Sequence, residues 1–350
     1  MKIIFSFIML SGVAMTSNSA LADDKSPFEV YGQVHVSLDY LDNSKDPTFA
    51  ASSNSSRLGV KGQYQLDDGL TATFGMEYQV ATTDDAKSLS RRNSYAALKG
   101  NFGQILVGRY DTPMKKLGRS VDLFWSSQLG ENRTITNSNS FDARYDNAVH
   151  YSYKFSDIKF MTAFYIDAGV TSDRIDDDSA NVSSTSVVYE KGVVMLGAGY
   201  EIVSGKSQYS ELGFPDKEDA TGLRLVGSYK MGDHKLAGFF ESAADVSGTA
   251  GKDRNLYGVG WSMKNGKYHY KAQVYSADDF DNTDDTGATL ISAGANYSYS
   301  KKVEVYAVVS RMANDQAAKF AIVGVGHDDK LDVITGEDNA GVSIGTRIKF

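Results

Sequence analysis

Hydrophobic and polar residues alternate along most of this chain with a period of two. From Val30 the even positions read Val30, Gly32, Val34, Val36, Leu38 and Tyr40, against Glu29, Tyr31, Gln33, His35, Ser37 and Asp39 on the odd ones. A second stretch sets Leu58, Val60, Gly62, Tyr64 and Leu66 against Arg57, Gly59, Lys61, Gln63 and Gln65. The clearest sets Leu70, Ala72, Phe74, Met76, Tyr78 and Val80 against Thr71, Thr73, Gly75, Glu77 and Gln79. Successive side chains on a strand point to opposite faces, so each stretch predicts a strand with one apolar face and one small or polar face. About sixteen such segments follow one another. They lie near 28–40, 57–66, 70–80, 92–100, 104–110, 143–155, 158–167, 184–191, 193–203, 221–231, 234–243, 254–264, 267–276, 288–299, 303–312 and 340–350. Two of them, 104–110 and 184–191, do not declare which face is apolar.

The connections alternate in length. Short links at Asp67-Asp68-Gly69, Asn101-Phe102-Gly103, Ser156-Asp157, Gly232-Asp233, Asn265-Gly266 and Ser300-Lys301-Lys302 carry residues that suit tight turns. Longer polar stretches lie between them at 41–53, 81–91, 111–142, 168–183, 204–219, 244–253, 277–287 and 313–339. A soluble sandwich has no reason to sort its links by parity, whereas a bacterial membrane barrel has short turns on one side and long loops on the other. In hydrocarbon every backbone amide must be paired within the protein, so strands cross a membrane only as a closed barrel. The expected fold is therefore all-β: a transmembrane antiparallel β-barrel of about sixteen strands, wide enough for an aqueous interior.

The N-terminus agrees with that destination. Lys2, an apolar run from Ile3 to Met15 and a polar stretch ending in Ala20-Leu21-Ala22 have the order of a secretory signal peptide, with cleavage expected after Ala22. The mature chain would run from 23 to 350 as a single domain. Beyond the signal, no apolar segment approaches the roughly 20 residues of a membrane helix. Loss of Lys2 takes the net charge from −8 to about −9, which argues against nucleic-acid partners, since their affinity rests on basic side chains. The chain has no cysteine, so an exported protein of this length must be held by its hydrogen-bonded sheet. Its 21 Tyr and 17 Phe beside only 4 Pro suit strands. Several aromatics, among them Tyr40, Tyr64, Tyr78, Tyr151, Tyr153, Phe155, Tyr229, Tyr297 and Tyr299, cluster at predicted strand ends, as interfacial girdles would.

The chain ends with Val342, Ile344, Thr346, Ile348 and Phe350 on one face of a last strand. A terminal aromatic residue there looks like the signal by which outer-membrane barrels are recognised by the barrel assembly machinery. Further motifs carry a family resemblance. Ser56-Arg57-Leu58-Gly59-Val60-Lys61-Gly62 resembles the second strand of the general porins of Gram-negative bacteria. The run Arg92 to Gly100, followed by Phe102-Gly103 and Val107-Gly108-Arg109, is similar to their fourth and fifth strands. Arg144 to Tyr151 resembles their sixth, and Gly324-Val325-Gly326-His327-Asp328 a segment near their end. The resemblance covers the whole mature chain in order. It implies an outer-membrane homotrimer, surrounded by lipid and lipopolysaccharide, that passes small hydrophilic solutes and ions by passive diffusion.

For such a channel, selectivity lies in pore diameter and lining charge. Alternation puts Arg57, Lys61, Arg144, Asp146, His150 and Lys154 on the polar face, and Arg92 is expected to join them. By the resemblance, Arg57, Arg92 and Arg144, with Lys61, form the basic wall of a constriction, and Arg91 could share that role. The stretch 111–142 matches the family's third loop, which folds inward. Between its flanking acids it carries Lys115, Lys116, Arg119, Asp122, Glu131 and Arg133, with an apolar Val121-Leu123-Phe124-Trp125 patch that favours packing against an inner wall. In many family members this loop presents acids opposite the arginines. Here its bases outnumber its acids, which leans toward anions, and the sign stays open. The alternative within this fold is a substrate-specific channel or adhesin.

Catalysis is not expected, because the groups a barrel hydrolase would pair at one depth are isolated. The five histidines lack metal-ligand spacing, no phosphate loop or nucleophile elbow appears, and no cofactor or metal is implied. Acid runs such as Asp84-Asp85, Asp176-Asp177-Asp178 and Asp284-Asp285 read as solvated loop faces.

Overall fold

Alternation builds a continuous wall. The computed structural model of the protein describes residues 28–83, 89–125, 129–168, 180–205, 217–324, 326–327 and 330–350. The first half of the wall is β1 (Phe28–Asp42), β2 (Thr48–Ser53), β3 (Arg57–Gln65), β4 (Thr71–Val80), β5 (Leu89–Gly100), β6 (Gly103–Asp111), β7 (Arg144–Phe155) and β8 (Ile158–Ala168). The second is β9 (Ala180–Lys191), β10 (Val194–Val203), β11 (Ala220–Met231), β12 (His234–Ala244), β13 (Arg254–Asn265), β14 (Tyr268–Ala277), β15 (Ala288–Ser298), β16 (Val303–Asn314) and β17 (Asn339–Lys349). The expected signal peptide and the acid runs at 84–85 and 176–178 lie outside the described residues.

All neighbours pair antiparallel, and β17 returns to β1 in a ladder running from Gln33–Lys349 to Asp42–Ala340. That ladder closes the barrel and removes the edges that hydrocarbon would not tolerate. Seventeen strand segments make sixteen staves, because β2 and β3 both pair with β1, above and below a break at 54–56. Ser55 sits there at φ 54. The polar stretch 41–53, expected as a loop, instead contains β2, which extends the first hairpin. Its small residues blur the alternation: Phe49 is exposed on the outer face, while Ser52 turns in to donate to Asp39 at 2.5 Å.

The outer surface is apolar, with Leu38, Val259 and Ile344 each more than 60% exposed. The two ambiguous segments resolve. Ile105 and Val107 face out with Leu106 buried, and Val187 and Tyr189 face out with Ser184 and Ser186 buried. Tight turns close one end, where Gly192, Gly232 and Gly266 adopt φ of 57°, 58° and 59°, conformations in which a Cβ would be strained. Tyr297 touches both Tyr268 and Tyr299 at that end, with ring centroids 5.0 and 4.8 Å away, as amphipathic rings at an interface should. Phe350 exchanges two 3.2 Å backbone hydrogen bonds with Gly32. A Cβ at Gly32 would come within 2.6 Å of the Phe350 ring, so the glycine makes room for the terminal aromatic residue.

Candidate pore constriction

Between β6 and β7 the chain leaves the wall. Pro113 and Thr112 start α1 (Pro113–Arg119), with the Thr112 hydroxyl accepting from Lys115 N as an N-cap does. A second short helix, α2 (Arg133–Thr136), follows. Met114, Leu117, Val121, Phe124, Leu129, Ile135 and Phe141 are at most 1% exposed. Leu117, Val121, Phe124, Leu129 and Ile135 pack with inward side chains of β10 to β16, including Met195, Val226, Phe239, Tyr275, Leu290 and Val308, while Met114 and Phe141 pack with Ala220, Ala243 and Val246. The wall is hollowed to receive them. A Cβ at Gly197 or Gly199 would meet Leu117 at 2.5 or 2.9 Å, one at Gly222 would meet Phe141 at 2.7 Å, and one at Gly260 would meet Leu123 at 2.8 Å.

Polar ties complete the attachment. Gln273 donates to Asp122 and to the Gly130 carbonyl, both at 3.1 Å, and Lys271 donates to the Leu123 carbonyl at 3.1 Å. The fully buried Arg224 donates to the Met114 carbonyl at 2.8 Å and to Asp142 at 2.9 Å, and it also pairs with Glu241. Burial alone would raise the Asp142 carboxyl, but the guanidinium outweighs it and holds the group below the usual carboxylate range.

Across the lumen, β3 to β7 present bases. Arg92 Nε lies 2.5 Å and Arg57 Nε 3.7 Å from Glu77, which also accepts from the Tyr31 hydroxyl at 3.1 Å. Arg144, Arg119 and Lys115 converge on Asp111 at 2.9, 2.7 and 3.2 Å. Trp125 spans loop and wall, its ring 5.0 Å from the Arg119 guanidinium and 6.0 Å from that of Arg57. Lys116 lies over the Tyr110 ring at 4.0 Å. Five bases thus share two carboxylates with Lys116 close by, and repulsion among the six is resisted by the strands and the docked helix that hold them. Burial pushes the Lys115 ammonium down to about 7 against the pull of Asp111, and Lys116 down to about 8.

Several residues singled out from sequence lie elsewhere. Lys61 pairs with Glu29 at 3.3 Å, half exposed, toward the short-turn mouth and away from Arg57. Asp122 accepts from Phe124 N and Asn132 N, and its burial beside Glu131 pushes it up to about 7. Glu131 is fully buried against Gly324. Both loop acids therefore point into the packing. Arg91 lies opposite Tyr78 on the outer face, where it pairs with Asp146 at 3.2 Å beside Arg109 at 2.8 Å. The expected inward position of Asp146 is overturned by Asn147, whose φ of 51° accompanies a register shift between the Gly108–Ala148 and Tyr110–Tyr145 pairs and changes the alternation. Glu77, Arg224 and Glu241 sit on the polar faces of alternating strands, and alternation alone does not mark them as site residues.

The sequence matches the model of the Gram-negative porin family over residues 10–317. The chain belongs to that family. This porin is 25% identical to outer membrane porin protein 32 of Delftia acidovorans, over 97% of this chain and 99% of the relative. It is 26% identical to outer membrane protein U of Vibrio vulnificus over 67% and 68%. Its fold is similar to that of an anion-selective porin from Comamonas acidovorans, with a TM-score of 0.78 at 23% identity over 92% of this chain and 99% of that one. The trimer form of OmpT from Vibrio cholerae matches at a TM-score of 0.68, 21% identity, and 92% and 99% coverage. The protein is thus an outer-membrane porin, a closed barrel for passive transport of small hydrophilic solutes.

Proposed function

We propose that this porin prefers small anions. One observation carries the reading: Arg57, Arg92, Arg119, Arg144, Lys115 and Lys116 gather around only Glu77 and Asp111, while Asp122 and Glu131 turn away into the wall. A narrow passage with surplus fixed positive charge concentrates anions and repels cations. That the fold resembles an anion-selective porin supports the reading. The protein acts without a catalytic step, its leader of residues 1–22 is removed on export, and Phe350 serves its assembly. The test is the reversal potential of single channels in a KCl gradient. A potential on the chloride side is expected, and one on the potassium side overturns the proposal.

A second reading concerns assembly. Arg91, Arg109 and Asp146 form a charged cluster on the outer face of β5 to β7, level with the constriction. A charge facing lipid near the bilayer middle costs roughly 2–4 kcal/mol, so this face is better suited to a neighbouring subunit, and we read the porin as a homotrimer. Unheated detergent gels should show an oligomer that collapses on boiling. A protein that migrates as a monomer in mild detergent refutes the reading.

A further inference from the structure

Beyond the constriction, at the end where the long connections emerge, the structure forms an open pocket of about 400 Å³. Arg133 and its neighbours on the inward loop line one side, and Lys252 and Arg254 at the start of β13 line another. Phe280 from the β14–β15 connection, with Lys319 and Phe320 from the β16–β17 connection, complete it. Among the described residues the lining includes four bases and no carboxylate.

The bases are held for use. Arg254 is 3% exposed, and its Nε donates to Asn139 at 2.7 Å. Its guanidinium lies 4.0 Å from the Phe280 ring and 5.4 Å from the Phe320 ring, and Lys252 lies 4.7 Å from the same Phe280. Aromatic faces steady a cation without neutralising it, so the charge stays available to a ligand. Arg133 is 9% exposed, Glu131 lies 3.9 Å from its guanidinium, and its Nε is buried without a hydrogen-bond partner among the described residues. A planar guanidinium among fixed bases suits carboxylate or phosphate oxygens, which it can bind in pairs.

We propose that this pocket is a loading station for small polyvalent organic anions, bearing carboxylates or phosphates, on the external side of the constriction. The proposal rests on the anion preference above and extends it. A basic mouth raises the local concentration of anions, and a weak site next to a narrow passage speeds entry without trapping the solute. Lys252 and Lys319 are the groups to remove, because neither ties the loop to the wall. Arg254 does so through Asn139, and makes the second variant.

The experiment uses the full-length porin in planar bilayers in KCl, with citrate, and separately tripolyphosphate, added to one side at a time. Wild-type channels should show brief current interruptions when the probe enters from the loop side, and these should be suppressed by high salt. The K252Q/K319Q double variant should lower their frequency by about tenfold, as expected when two charges leave a focused field, and R254Q should shorten them. Response to both probes assigns the shared anion chemistry, and response to one narrows it to that class. Absence of interruptions in the wild type, or equal frequency in the double variant while reversal stays on the chloride side, overturns the station and leaves the anion preference intact. A wild-type reversal potential on the potassium side overturns the underlying reading instead.

Discussion

Two walls of the same lumen use arginine in opposite ways. On the side of β10 to β16, Arg224 is fully buried between Asp142 and Glu241, so its charge is cancelled locally and serves to fasten the loop. On the side of β3 to β7, Arg57, Arg92 and Arg144 keep 11–16% of their side-chain surface and share two carboxylates with Arg119 and Lys115, with Lys116 close by. A count of charges in the 111–142 loop therefore says little about selectivity. What matters is which charges point at the aqueous path and which are spent in packing.

The anchoring side should be the more fragile. Arg224→Met leaves Asp142 and Glu241 facing each other in a dry site, and breaking a buried pair costs about 3–5 kcal/mol. The loop should then detach, giving noisy and larger single-channel currents and rapid tryptic cleavage near Lys115 and Lys116. Quiet currents of wild-type size would show that apolar packing alone holds the loop. Gly199→Ile tests that packing, because its side chain would invade the space of Leu117 and Met114. Overpacking of this kind costs about 1–3 kcal/mol, so a smaller rise in open-channel noise is expected.

On the basic side, stability should hardly change while selectivity does. The double change Arg57→Gln with Arg92→Gln removes two cationic groups and frees Glu77. The reversal potential should move strongly toward potassium, with the thermal transition of the folded barrel nearly unchanged. An unmoved potential would remove these arginines from the selectivity mechanism.

A milder perturbation is pH. The positive forms of Lys115 and Lys116 are present below about 7 and about 8 and are lost as pH rises through those values. Chloride preference should weaken between pH 6 and pH 9 as two of the six bases discharge. Lys115→Arg should flatten the lower part of that curve, since guanidinium does not titrate there. A profile that is flat in both proteins would mean that these amines lie off the conducting path.

The fold was legible because lipid imposes a period of two that survives without any partner: Leu70 to Val80 shows its outer face from sequence alone. The period fails where the chain departs from ideal pairing. Asn147 and Gly108, at positive φ, accompany the register shift that sends Asp146 outward; both residue types tolerate that conformation, but both also occur in regular strands, so their presence alone does not announce an irregularity. The Arg224 cluster was hidden for another reason. Asp142 lies 82 residues from Arg224 in sequence, and only closure of the barrel with the loop inside brings them together. The inward glycines that receive the loop read as small polar-face positions until Leu117 and Phe141 are seen above them.

The smallest effect is expected at Lys61, which a residue count would place with the basic wall. It sits on the same face of β3 as Arg57 but toward the short-turn mouth, half exposed and paired with Glu29 at 3.3 Å. Solvent screens such a pair, whose contribution is about 0–1 kcal/mol, and the wider mouth dilutes its field. Lys61→Gln should shift the reversal potential far less than Arg57→Gln, with the remaining difference vanishing at high salt. Equal shifts from the two substitutions would mean that selectivity is set by charge summed along the whole wall, and the constriction would lose its special standing.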